Sequence, residues 1–415
     1  MTSLKPSFVT TSLKPSFVTA TARHPEAELL IRCARTRKNS ETTAQIGALL
    51  RGGLEWEYLL RMADEHGMMP LLFWHLADAP PELVPATVLA RLRERFHRNA
   101  QRNLFLTAKL FKLLNLLEAH RLPAIPYKGP VLAASCYGNL ALREFVDLDL
   151  LVHKRDVPRA RELLSAAGYH PRHRLTLAQE AAFLRYNREH ELVHEDDRSM
   201  VDLHWAIMEK SFSFPLDPEC LWERLHRVPL GGSDVPTFSP EDSLLILCVH
   251  ASKDAWERLK YVCDVAELVR TYWDMDWRRV VERAGRLGSE RMLFLGLLLA
   301  RDLLETPLPE EVSRKAHADQ AVEALVRRIG ERLFQRIDNS PRRFAEMPFR
   351  PIHMKMRERL RDKVRYLVRL ATTHTVGDWM ALPLPKPFFF LYYALRPIRL
   401  ARKYGRKLFI TILRV

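Results

Sequence analysis

RLPAIPYKGPVLAASCYGNLALREFVDLDLLV, residues 121–152, is the stretch that decides the fold. RLPAIPYKG (121–129) reads as a short strand that ends in a glycine. PVLAASCYG (130–138) fits a helix, with Pro130 suited to its first position and Gly138 to its exit. NLALREF (139–145) is a polar loop. VDLDLLV (146–152) opens with strict alternation, which puts Asp147 and Asp149 on one strand face and Val146, Leu148 and Leu150 on the other.

The reading extends outward from there. RDVPRARELLSAAGY (155–169) is a helix that stops near Gly168. REHELVHED (188–196) and SMVDLHWAI (199–207) read as two strands joined by a tight acidic turn. Residues 121–207 therefore form a small α/β unit, and helical patterns lie on both sides of it. The expected class is α+β: a small mixed sheet flanked by N-terminal and C-terminal helical regions. The expected organisation is a disordered extension (1–23), a helical region (24–120), the core (121–207), a helical substrate or lid region (208–370) and a basic aromatic tail (371–415). The extension carries TSLKPSFVT twice in tandem, at 2–10 and 11–19, with no apolar face to bury. After 215 the pattern reads as helix, with one long helix over 239–270 and others over 274–303, 308–335 and 351–370.

Composition bounds the class. The chain has 415 residues, 47% of them hydrophobic, enough for sizeable cores. Five cysteines with no CxxC spacing suggest a reducing compartment and no cysteine metal site. No apolar run reaches the ~18 residues of a membrane span. A net charge of +15 calls for something anionic: RNA, an anionic membrane, a nucleotide triphosphate or an acidic partner. Seven Arg or Lys residues fall between Arg396 and Arg414. The neighbouring run FFFLYYAL (388–395) suits either an interfacial helix or packing onto the helical body.

Two carboxylates as close as Asp147 and Asp149 repel each other unless a cation or a proton lies between them. A polar strand face is the alternative. Asp202 and His204 share a face of the second strand, so pairing of the strands would bring three carboxylates together. Oxygen donors suit Mg²⁺, which is held by few carboxylates plus substrate phosphates. Asp202 would also be placed to accept a hydroxyl proton. Lys128 and Gly129, at a strand-to-helix turn, can face phosphate through a charge and backbone N–H groups, or can be a plain surface turn. Arg143 is suited to anchor phosphate or to pair with a carboxylate. His204 is a candidate second ligand layer, acceptor contact or packed residue. His190 and His194, with Asp202 and His204, would make a transition-metal set. His250, Lys253 and Lys260 can reach the site from a lid-like helix, or belong to a solvated face.

The run 123–169 followed by VDLHW (201–205) resembles the uncharacterised nucleotidyltransferase family of the DNA polymerase β-like superfamily. The resemblance implies a mixed sheet, a Gly-containing turn that holds triphosphate, and two Mg²⁺ ions on an Asp-x-Asp strand plus a third carboxylate. By position, Lys128 and Gly129 replace the usual Gly-Ser turn, Asp147 and Asp149 match the paired ligands, and Asp202 matches the third. Glu189 and Glu191 compete with Asp202 for that role. The implied activity is transfer of a nucleoside monophosphate from an NTP, by default ATP, to a hydroxyl of a small molecule, RNA or protein. An inactive nucleotide-binding or scaffold protein and a metal-dependent phosphohydrolase are the alternatives. A cytoplasmic setting is expected, with the tail as a possible peripheral contact to the inner membrane face.

Overall fold

The computed structural model describes residues 8–9, 24–173, 175–335, 350–382 and 384–412. Its architecture is α+β. A mixed five-stranded sheet is flanked by helices from both ends of the chain. Most of the tandem repeat lies outside the described residues. Its Phe8–Val9 (β1) pairs antiparallel with Leu308–Pro309.

Among the described residues five helices precede the sheet, the last of them running over Ala86–Ala119. Local chemistry sets their ends. Asn39 accepts the Thr42 N–H at 2.7 Å and starts the helix Ser40–Arg51. Gly67, at φ 67°, ends the helix Trp56–His66 in the left-handed region.

The sheet strands are β2 (Ala124–Tyr127), β3 (Asp147–Val152), β4 (Tyr169–Pro171), β5 (Glu189–His194) and β6 (Met200–His204). Their order is β2-β3-β6-β5-β4, and only the β3–β6 pair is parallel. Alternation divides the two faces. Leu148, Leu150, Val201, Leu203 and Leu192 form one core with Leu106, Leu110, Leu113 and Leu117 of the long helix. The opposite face carries Asp147, Asp149, Asp202, His204, Glu189 and Glu191.

Past residue 215 the structure departs from an all-helical reading. Leu225–Leu230 (β7) and Ser233–Phe238 (β8) form a hairpin across Gly231-Gly232, both at positive φ. The two-glycine turn between strand-like segments carries that signal in the sequence. The hairpin is tied to the sheet where Thr237 donates its hydroxyl hydrogen to the Pro126 carbonyl at 2.8 Å.

The expected helix over 239–270 is two helices, Pro240–Lys253 and Leu259–Thr271. Ala255 and Trp256 break it with positive φ. Trp256 is fully buried, donates its indole N–H to Ser252 and packs where Gly296 leaves room. Burying this indole outweighs continuing the helix. Lys253, Glu257 and Lys260 therefore do not form one helical stripe. Residues 274–303, 308–335 and 351–370 are each divided as well.

The tail begins by packing on the body. Tyr392 is buried, and its hydroxyl donates to the Leu382 carbonyl at 2.6 Å. Buried Arg396 pairs with Asp378 and donates from Nε to the Leu370 carbonyl. Phe388 and Phe390 remain exposed. No helix of the described residues is long and apolar enough to cross a membrane.

Candidate active site

The strand registers assemble the acidic face. Asp149 stands opposite Asp202 across the parallel β3–β6 pair. Glu191 stands opposite Asp202, and Glu189 opposite His204, across β5–β6. Asp149, Asp202 and His204 place ligand atoms within 4.8 Å of one another, the one such group among the described residues. Asp147 is two residues along the same strand face. It lies outside that compact set but close enough to add to its negative charge.

His204 is fully buried and bridges two acids. Its Nε2 lies 3.0 Å from Asp149 Oδ1, and its Nδ1 lies 3.1 Å from Glu189 Oε2. Lys128 Nζ is 3.7 Å from Asp149. Burial pushes the Asp149 carboxyl upward, but Lys128 and the His204 hydrogen bond outweigh it and hold it below the usual carboxylate range. Asp202 responds in the opposite sense. Burial, then Glu189, Asp149 and Asp147, push its carboxyl up to about 8. Asp202 Oδ1 is buried without a hydrogen-bond partner among the described residues. A carboxylate set with surplus negative charge and an orphaned oxygen fits a cation.

Lys128 and Gly129 form the turn from β2 into the helix Gly129–Tyr137. Both have positive φ, 57° at Lys128 and 38° at Gly129. Positive φ at a lysine stores backbone strain, which a surface turn has no need of. A Cβ on Gly129 would lie 3.5 Å from the Asp147 carbonyl, so the glycine answers mainly to its backbone angle. The helix start leaves the N–H groups of Gly129 and Val131 without intrahelical acceptors.

The other expected residues divide. His250 sits among Lys128, Arg188, Lys253 and His204; burial, reinforced by these groups, holds its ring well below the ordinary histidine value. Lys253 Nζ is 3.8 Å from Glu209 at the margin of the same face. Of the two roles expected for Arg143, the structure shows the carboxylate pair. Arg143 is buried and paired with Asp264 through Nε at 2.8 Å and Nη2 at 2.9 Å. The transition-metal set is not assembled. His190 pairs in register with Leu203, on the face opposite His204, where its ring stacks on Phe183 and lies 5.1 Å from Trp205. His194 shares that opposite face and lies beside Tyr169. Sequence reading missed Arg188, which is paired with Glu189 at 2.8 Å and with Glu209 at 3.7 Å. An arginine at the mouth of a strand carries no local signal of that role.

The sequence profile of an uncharacterised nucleotidyltransferase family covers residues 52–305. The chain belongs to this family. The matched span includes the whole five-stranded sheet and the helix Leu259–Thr271 that supplies Asp264. No curated protein matches the chain.

Proposed function

We propose that the acidic face catalyses Mg²⁺-dependent transfer of a nucleoside monophosphate from an NTP to a hydroxyl acceptor, with release of pyrophosphate. The observation that carries this reading is Asp202. It stands in register beside Asp149, with one oxygen orphaned and its carboxyl pushed up to about 8. Such a group is costly unless a cation or a transferable proton uses it.

Asp149 and Asp202 would hold the ion, with Asp147 available to a second one. Bound Mg²⁺ would supply charge neutralisation on the triphosphate oxygens. Lys128 and the N–H groups of the following helix would bind the β- and γ-phosphates. The acceptor oxygen forms a bond to the α-phosphorus as the bond from that phosphorus to the bridging oxygen of the β-phosphate breaks. Pyrophosphate leaves with the electron pair. The hydroxyl proton passes to the Asp202 carboxylate. His204 orients Asp149 through their hydrogen bond. The superfamily resemblance, and ATP as the default donor, belong to this proposal.

The test is incubation with each α-³²P-labelled NTP, Mg²⁺ and cell extract, beside Asp149→Asn. Label in an acceptor fraction, lost in the variant, is the expected result. NMP and pyrophosphate without labelled acceptor would replace transfer with phosphohydrolysis. Absence of Mg²⁺-dependent NTP binding would make the chain a scaffold.

A further inference from the structure

Beside the acidic face lies a cleft of about 360 Å³. That volume lies within the range of small-molecule sites. Glu189 and Glu191 form the side towards the carboxylates, and Glu191 is the register partner of Asp202. The strand that lines the cleft is therefore the neighbour of the strand that carries Asp202.

The charges lining the cleft cancel. Arg172 pairs with Glu191 at 2.8 Å, Arg188 pairs with Glu189 at 2.8 Å, and Lys253 lies 3.8 Å from Glu209. All six line the cleft. Three carboxylates would repel a phosphate chain such as RNA. Three cations would likewise repel a polycation. A neutral ligand rich in hydroxyl groups meets no such penalty. Each hydroxyl can donate to a carboxylate and accept from a guanidinium or ammonium group. Phe183 adds an apolar patch to the same lining, suited to the C–H face of a ring.

The far wall is Thr375, Val376 and Gly377, outside the family-matched residues 52–305. This wall is held firmly. Thr375 caps the short helix Val376–Ala381 through Asp378, and Asp378 in turn pairs with Arg396 and Arg399. The C-terminal region thus completes a cleft whose other side is the catalytic sheet.

We propose that this cleft is the acceptor site and that it takes a small, uncharged, hydroxyl-rich molecule, a sugar or cyclitol. The proposal rests on the transfer reading above. One hydroxyl of that molecule becomes the attacking oxygen, its proton goes to Asp202, and pyrophosphate is the leaving group.

The test offers the full-length protein α-³²P-labelled NTP and Mg²⁺ with three sets of acceptors. These are neutral polyols (glucose, mannitol, myo-inositol), an oligoribonucleotide with a free 3′ end, and a serine-containing peptide. Label on a polyol is expected. Arg172→Ala and Glu191→Gln should each raise the KM for that polyol about tenfold while the KM for NTP stays within about twofold. Label confined to the oligonucleotide or the peptide overturns the proposal, as does an unchanged polyol KM in both variants. Mg²⁺-dependent NTP binding in equilibrium dialysis with no polyol labelled also overturns it, and leaves the transfer reading standing. Absence of that NTP binding fells the transfer reading itself.

Discussion

Two buried charge clusters lie near opposite ends of the helix Gly129–Tyr137, and they are built to different ends. At its C-terminal end Asp264 accepts two bonds from Arg143 and a third from the Tyr137 hydroxyl at 2.7 Å. The Asn99 and Asn103 amides donate to the Arg143 carbonyl. Burial raises the Asp264 carboxyl, but Arg143 outweighs it and holds the group below its ordinary value. At the N-terminal end Asp149 is satisfied by His204, yet Asp202 beside it keeps an unpartnered oxygen. The same residue types thus make a closed structural joint in one place and an open, charged site in the other. What separates them is whether each buried aspartate oxygen has a donor, as both of Asp264 do and Asp202 Oδ1 does not.

The closed cluster should break the fold when it is broken. Asp264→Ala leaves the Arg143 guanidinium buried and unpaired, and the expected loss is about 3–5 kcal/mol in urea unfolding. A loss below about 1 kcal/mol would erase the contrast between the clusters.

The open cluster should fail in chemistry instead. Asp149→Asn is expected to lower NMP transfer at least about a hundredfold, with the far-ultraviolet circular dichroism unchanged. Near-normal turnover would remove Asp149 from the site. Lys128→Ala should raise the KM for NTP about tenfold and leave the acceptor KM alone. Equal NTP affinity in both proteins would return Lys128 to a simple turn.

The smallest effect is the sharpest. In the folded protein the Asp202 carboxyl is raised to about 8, from the 3.8 of an ordinary aspartate. Between these values the folded chain holds a proton that the unfolded chain has released, so stability falls as pH rises. Asp202→Asn removes that penalty. In EDTA the variant should melt roughly 2–4 °C above the parent at pH 8, with the gain shrinking towards pH 4. A variant that melts lower at pH 8 would mean that Asp202 is satisfied as it stands, like Asp264.

Much of the site was legible in short segments. Alternation in VDLDLLV assigns Asp147 and Asp149 to one face, and VDLHW assigns Asp202 and His204 to one face. Pro130 and Gly138 bracket the helix that follows Lys128-Gly129. The hairpin at 225–238 was legible too, through Gly231-Gly232, but helical patterns on both sides obscured it. The break at Trp256 was not legible. It depends on Gly296, forty residues away, which leaves room for the indole.

By itself the sequence determined which side chains share a strand face and where the helix after Lys128 begins and ends, because periodicity and capping act over a few residues. The tertiary structure decided which faces meet. The parallel register of β3 and β6 places Asp149 against Asp202, whereas alternation on each strand is the same for any register that preserves the faces. It also paired Arg143 with Asp264, 121 residues away. A buried charge takes the partner that packing of the whole chain brings within reach, and that choice is written in no local segment.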